Sequence, residues 1–140
     1  MKKIIIVLVI VIVILQNPTQ LVALDKPQKV EITNKVEFVE SLVEIYAAKY
    51  NVSKSSLLKT IKNENNTFDF DRQSDLKYKK GNRWGFKEGE REKSYGIAQI
   101  HLPDHPDVTY EEATDPEFSV NFMASNFAKG NENWWSGYEK

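Results

Sequence analysis

Val36, Val39, Leu42, Val43, Tyr46 and Tyr50 recur at intervals of three and four residues. Such spacing lays one apolar face along a helix, and that face must be covered by other parts of the chain. Asn34 is placed to cap the helix, and Glu37, three residues on, can complete a capping-box-like pair. Asn51 can end it, because asparagine tolerates the left-handed conformation. Ser53 then reads as the cap of a second helix whose buried stripe is Leu57, Leu58 and Ile61. Glu64 follows Ile61 by three residues, so it lies near that stripe and points toward the protein. A solvated helix-end glutamate is the plainer alternative.

Beyond this helical pair the pattern changes. Residues 67–93 are irregular and charged, with aromatics at Phe68, Phe70, Tyr78, Trp84 and Phe86. Residues 77–84 could turn back as a hairpin around Gly81-Asn82. Long loops in small domains usually carry function or hide secondary structure. Residues 94–100 become apolar again, and Pro103 and Pro106 stop any helix soon after. Asp115-Pro116 opens a last helix, with proline at its favoured first position and Phe118, Phe122 and Phe127 as its apolar stripe. The tail, Trp134-Trp135-Ser136-Gly137-Tyr138, is too aromatic to be mere solvated chain.

The first 24 residues differ from the rest. Lys2-Lys3 precedes an uninterrupted apolar run over residues 4–15. A membrane-spanning helix needs about 20 apolar residues, so the run suits an export signal better than a span. Cutting after Ala23 leaves Leu21 at a position that favours a small residue, so an uncleaved anchor through residues 4–15 is the alternative. Either way the body of the chain, residues 35–140 behind a linker at 25–34, is expected outside the cytoplasmic membrane: periplasmic, in the cell wall or extracellular. Without the leader, 17 cationic side chains face 20 acidic ones. With no long basic run, no nucleic-acid partner is expected. There are no cysteines, which excludes disulfides, thiol nucleophiles and Cys-based zinc sites. His101 and His105 are four apart, but Pro103 between them breaks the helix that a chelating pair would need, so no metal is expected. A monomer without cofactor is the expected state.

Three segments together resemble a known family. Ile61-Lys62-Asn63-Glu64-Asn65-Asn66-Thr67-Phe68 is similar to the acid motif of the lysozyme-like soluble lytic transglycosylase domains, usually Glu-Ser, a small residue and Phe. Ser94-Tyr95-Gly96-Ile97-Ala98-Gln99-Ile100 resembles their Gly-Leu-Met-Gln motif, with Pro103 following. Asp115-Pro116 and its helix resemble their third segment. The likeness runs from about Tyr46 to Trp135. It departs at Asn65, where the family usually has Ser, in the long insert before Gly96, and in the absence of the family's Ala-Tyr-Asn motif. The resemblance implies a mainly α (α+β) lysozyme-like fold: a small helical domain with an irregular or β-hairpin insert beside a groove. It implies peptidoglycan glycan strands as the partner and substrate.

It also implies roles. Glu64 would be the catalytic acid, and Ser94, Tyr95, Gly96, Ile97 and Gln99 would bind substrate. A Gln amide both donates and accepts, which suits an acetamido group. Gly96 would let a ligand approach the backbone. Tyr95 and Trp84 could stack on sugar rings, with core packing as the alternative. In the family one glutamate acts as acid and then base, and the muramyl 6-hydroxyl closes a 1,6-anhydro ring. Most glycosidases instead use two carboxylates, and Asp69, Asp71, Glu88, Glu90 and Glu92 are candidates for the second. A hydrolytic muramidase therefore stays open. So does a non-catalytic cell-wall glycan-binding module.

Overall fold

The computed structural model describes residues 34–135, and Asn34 begins its first helix. The Asn34 Oδ1 accepts hydrogen bonds from the Val36 and Glu37 amides at 3.1 and 3.2 Å. Helix α1 spans Lys35–Tyr50 and ends at Asn51, which is left-handed at φ 54°. Ser53 caps helix α2, Lys54–Glu64, by accepting from the Ser56 amide at 3.2 Å. The return bond expected of Glu37 does not form. The full capping box lies instead at Thr109 and Glu112, opening a short helix α3, Tyr110–Thr114, that the proline-rich approach conceals in the sequence. Helix α4, Pro116–Ala128, follows at once, with Asp115 accepting from the Phe118 amide at 2.7 Å.

The helices share one core. Val39, Leu42 and Val43 of α1 and Leu57 and Ile61 of α2 meet Val120, Met123, Ala124 and Phe127 of α4. Fully burying one such aliphatic side chain is worth about 1.5–3 kcal/mol. The α4 stripe is thus rotated from the expected one. Phe118 and Phe122 flank the core and are only half-buried, and Val120 and Met123 occupy its centre. Val36 is 42% exposed and lies outside the core. At the α1–α4 edge the Tyr46 hydroxyl donates to Glu117 at 2.7 Å. That bond to a carboxylate, helped by burial, pushes the Tyr46 phenol up to about 12.

The strands are few and short. β1, Ser94–Tyr95, and β2, Ile100–His101, pair antiparallel with Ser94 opposite His101 and Tyr95 opposite Ile100. A 3₁₀ turn, Leu102–Asp104, carries Pro103 in its first turn. The insert is a ribbon, but larger than the hairpin expected at 77–84. Lys77 bridges Arg91 and Gln73 bridges Tyr95, and the Tyr78 amide donates to the Glu90 carbonyl at 2.8 Å. The chain therefore turns at its tip between Lys79 and Gly89, with Asn82 folded onto the Lys79 and Phe86 carbonyls.

The described residues are thus mainly helical, with one two-stranded sheet. Among them no helix is long and apolar enough to cross a membrane. The leader at 1–24, the linker up to residue 33 and the tail residues Ser136, Gly137 and Tyr138 lie outside the described part.

Candidate active site

Glu64 is the last residue of α2 and is half-buried. It lines a cavity of about 230 Å³ together with Ser94, Gln99 and Glu92. Leu76, Trp84, His101, Asp104, Trp134 and Trp135 are also in its lining. The acid and the glutamine, 35 positions apart in the chain, therefore face one space.

Asn65 makes that possible. It is fully buried, and its side chain is saturated. The Nδ2 donates to the Asp69 carbonyl at 2.7 Å and to the Gly96 carbonyl at 3.3 Å. The Oδ1 accepts from the Thr67 hydroxyl at 2.9 Å and the Asp69 amide at 3.3 Å. The loop after α2 is thus wound around one amide, and Phe68 is held left-handed within it at φ 52°. A β-carbon residue in that conformation costs roughly 1–2 kcal/mol, which the Asn65 bonds and the burial of the Phe68 ring offset. The bond to Gly96 ties the Glu64 end of α2 to the 94–101 hairpin. The sequence signal was Asn65-Asn66-Thr67, a polar run that favours side-chain turns.

Gln99 is left-handed at φ 48° and half-buried. Its Nε2 donates to the Gly96 carbonyl at 2.7 Å and to the Arg72 carbonyl at 3.3 Å. Both partners are carbonyls that only accept, so the amide orientation is fixed. The NH₂ group serves the scaffold. Oε1, which makes no bond among the described residues, is the atom left for a ligand.

The other residues expected around the ligand divide. Ser94 is buried and lines the Glu64 cavity. Ile97 is fully buried in the core. Tyr95 lines neither groove cavity and packs edge-on against Tyr110, ring centres 5.0 Å apart. Gly96 is needed for a different reason than ligand approach. A β-carbon there would lie 1.9 Å from the Ala113 carbonyl oxygen, and its φ is +77°. It seats the hairpin on α3 and lines neither cavity. Trp84 does line the Glu64 cavity, with its Nε1 on Asp104.

No protein-family model, curated protein or solved structure matches this chain. The chemistry therefore rests on the chain's own geometry. The second wall of the groove is a chain of hydrogen bonds. The Lys93 amide donates to the Tyr78 hydroxyl at 3.1 Å, and that hydroxyl lies 3.0 Å from His101 Nε2. His101 Nδ1 lies 3.0 Å from Asp104 Oδ2. A carboxylate can only accept, so His101 Nδ1 donates its proton to Asp104. Asp104 also accepts from Trp84 Nε1 at 3.0 Å and pairs with Arg83. Burial alone would raise the Asp104 carboxyl. The bonds from His101 and Trp84 and the nearby positive charges outweigh burial and hold it below the ordinary carboxylate value. Burial raises the Tyr78 phenol, against the Lys93 bond and with the Glu92 and Glu90 charges.

Of the second carboxylates, Asp69 is paired with Lys35 at 3.2 Å on the exposed side of the loop. Neither it nor Asp71, Glu88 or Glu90 lines a groove cavity. Glu92 does, and so does Asp104, which the sequence alone gave no reason to choose. Among the described residues no group of three or more acidic, histidine or cysteine side chains is arranged to hold a metal ion. His101 and His105 engage different partners, the latter packing on Phe122 and Trp134.

Proposed function

We propose that this chain is a lysozyme-like lytic transglycosylase that cleaves the MurNAc-GlcNAc β-1,4 bond of peptidoglycan, with Glu64 as general acid and then base. The observation that carries the reading is that Glu64 and Gln99 face one cavity, joined through Asn65 and Gly96. Glu64 donates its proton to the glycosidic oxygen as the C1–O bond breaks. The substrate's acetamido oxygen stabilises the positive C1. The Glu64 carboxylate then takes the proton of the muramyl 6-hydroxyl as that oxygen closes on C1. The product is a 1,6-anhydro end, no water is consumed, and Glu64 regains its proton. Gln99 Oε1 is suited to accept from a sugar hydroxyl or an acetamido N–H. The substrate lies outside the cytoplasmic membrane, which agrees with a leader at residues 1–24 and a monomer working in the periplasm, wall or medium.

A second reading has its own support. Glu92 lines the same cavity as Glu64. A carboxylate there could activate water, giving a hydrolytic muramidase. Digestion of purified peptidoglycan separates the outcomes. Anhydro-muramyl ends support the transglycosylase. Reducing ends, lost in Glu92→Gln, establish the hydrolase. Binding without any cleavage leaves a glycan-binding module and removes the catalytic role of Glu64.

A further inference from the structure

The cations of the described residues fall into two groups. Lys35, Lys54 and Lys62 pair with Asp69, Glu44 and Glu40, Arg72 and Arg91 share Asp75, and Arg83 pairs with Asp104. Lys49 and Lys93 lie over aromatic rings. Lys77, Lys79, Lys80 and Lys87 are different. All four are exposed, and among the described residues no ammonium of theirs has an ion pair, a hydrogen bond or a ring contact. They fall in residues 77–87, which contain no acidic residue, although the whole chain has a formal net charge of −1. Lys129, at the end of α4, is also exposed and unpaired among the described residues, but it stands apart from the others.

The ribbon gathers these lysines on the side away from the groove. Lys77 is bridged to Arg91, and the Glu92 amide donates to the Leu76 carbonyl at 2.9 Å. Side chains along a strand alternate between its faces. Leu76 and Glu92 line the Glu64 cavity and Tyr78 is buried beneath it, so Lys77, Lys79 and Arg91 take the outer face. Lys80 and Lys87 follow in the tip. Two features separate this face from a merely solvated one. Lys77 and Arg91 are like charges directly opposite each other, which destabilises a strand pair. The carboxylates that could relieve them are used elsewhere: Glu90 and Glu92 alternate to the groove side, and Asp75 is held by Arg72 and Arg91. Glu88, beside Lys87, makes no ion pair among the described residues. The face also offers no free ring, because Trp84 and Phe86 pack on Tyr78 with ring centres 5.6 and 4.6 Å away. It therefore has no wedge to insert into a bilayer and no platform on which a nucleic-acid base could stack.

What remains is a row of ammonium groups. Planar carboxylates favour the arginine fork, whereas lysine is a compact point charge suited to a singly charged phosphate. The arginines nearby, Arg83 and Arg91, are already engaged. Lys77 and Lys79, two residues apart on one face, start about 6.5 Å from each other. A polymer with one phosphodiester per three-carbon polyol unit repeats its charge at a similar interval. We infer that Lys77, Lys79, Lys80 and Lys87 form a docking face for a linear polyol-phosphate polymer. The face lies outside the groove, so the polymer holds the protein while the Glu64 cavity stays open. It stands independently of the reading of Glu64.

The test titrates the full chain against a fluorophore-labelled synthetic glycerol phosphate decamer, read by anisotropy at rising sodium chloride. Affinity should fall as salt rises, because each phosphate met by a lysine releases its counterion. Lys77→Gln, Lys79→Gln, Lys80→Gln and Lys87→Gln together should weaken binding about 100-fold or more at low salt and flatten the salt dependence, without lowering the melting temperature. Lys129→Gln should leave binding unchanged, and Glu64→Gln should bind as the parent does. Lys77→Gln alone should raise the melting temperature, since the charge opposite Arg91 is gone. Undiminished binding in the fourfold variant, an equal loss in Lys129→Gln, or no binding by the parent chain overturns the proposal. A fall in melting temperature in Lys77→Gln makes that lysine a fold residue and overturns it too. Tighter binding of a polyglutamate of equal charge, of duplex DNA or of phosphatidylglycerol vesicles replaces the polymer with a carboxylate, nucleic-acid or membrane partner.

Discussion

Ile61 and Tyr78 are almost equally buried, at 0% and 2% exposure, for opposite reasons. Ile61 sits in the helical half, among Leu57, Val43 and Met123, and contributes through area removed from water. Tyr78 sits in the groove-side lobe, stacked on Phe86 at 4.6 Å, with its hydroxyl tied to Lys93 and His101. Around it the ribbon is held by backbone pairs, by the Arg91 bonds to the Gln73 and Ser74 carbonyls, and by Lys93 over the Phe86 ring at 4.1 Å. The helical half is a non-directional core and tolerates exchange of one apolar residue for another of similar volume. The lobe is a directional network of hydrogen bonds between distant segments. Glu64 lies at the seam: it ends a helix of the first and faces a cavity walled by the second.

The seam gives the largest expected effect. Glu64→Gln preserves shape and removes the transferable proton. Turnover on peptidoglycan should fall by about 10²–10⁴-fold or more, while thermal melting stays within error of the parent. Near-normal turnover in this variant would sink the assignment of Glu64. Asp69→Asn and Asp71→Asn, assayed alongside, should keep most activity because neither carboxylate reaches the groove.

A core truncation addresses the helical half. Ile61→Ala should cost about 2–5 kcal/mol, since a buried aliphatic is lost and a cavity remains. Urea unfolding followed by circular dichroism measures it. If the loss were below about 1 kcal/mol, the helical half would not be close-packed at this position, and the contrast with the lobe would fail.

These two regions also differ in how much of them the sequence discloses. The caps at Asn34, Asn51, Ser53 and Asp115 and the stripes of α1 and α2 are readable because each is local: a side chain bonds an amide two or three residues away, or repeats at helical spacing. Of the expected α4 stripe, Phe127 lies in the core, while Phe118 and Phe122 pack at its edge and Val120, Met123 and Ala124 fill its centre. The groove wall is built from long-range bonds, Tyr78 to His101 and Arg83 to Asp104, which no spacing rule displays. Glu64, Gln99 and Ser94 were legible as motif residues. Asp104, Trp134, the Asn65 bond to Gly96 and the fit of Gly96 against Ala113 were not, because those partners come from other segments.

Asn65 joins the two halves, so its loss should be smaller than a core truncation yet felt at both. Asn65→Ala leaves the Asp69 amide without its partner and removes the bond to the Gly96 carbonyl, at a cost of about 1–3 kcal/mol. Asn65→Asp keeps the acceptor for Thr67 and Asp69 but sets a buried carboxylate oxygen against the Asp69 and Gly96 carbonyls, so it should be no more stable than Ala. Activity should drop in Asn65→Ala beyond what its folded fraction explains, because Glu64 is no longer held against the hairpin. Stability loss with unchanged specific activity would make Asn65 a fold residue alone.

The smallest effect expected is a pH slope from His105. The residue is half-buried against Phe122 and Trp134, with Asp104 and His101 as its titratable neighbours. Burial lowers its folded value below the ordinary 6.5, with Asp104 opposing. Above 6.5 the imidazole is neutral in both folded and unfolded chains, so it adds no pH dependence there. As the pH falls through 6.5, the unfolded chain binds a proton that the folded chain refuses. Stability should therefore decline between 6.5 and the folded value, and level off below it. The Asp104 carboxylate behaves separately. Its depressed value means that its stabilisation holds above the ordinary carboxylate range and fades only in stronger acid. Melting temperatures measured from pH 8 to 5 should show a shallow decline near neutrality that His105→Gln flattens, while a slope that persists in the variant assigns the titration to another group. A flattened slope with unchanged sugar affinity would also show that His105 supports Trp134 by packing and not by charge. That result would place the stack of Phe122, His105 and Trp134 on the same footing as the helical core, in contrast to the directional bonding of the wall from Tyr78 to Asp104.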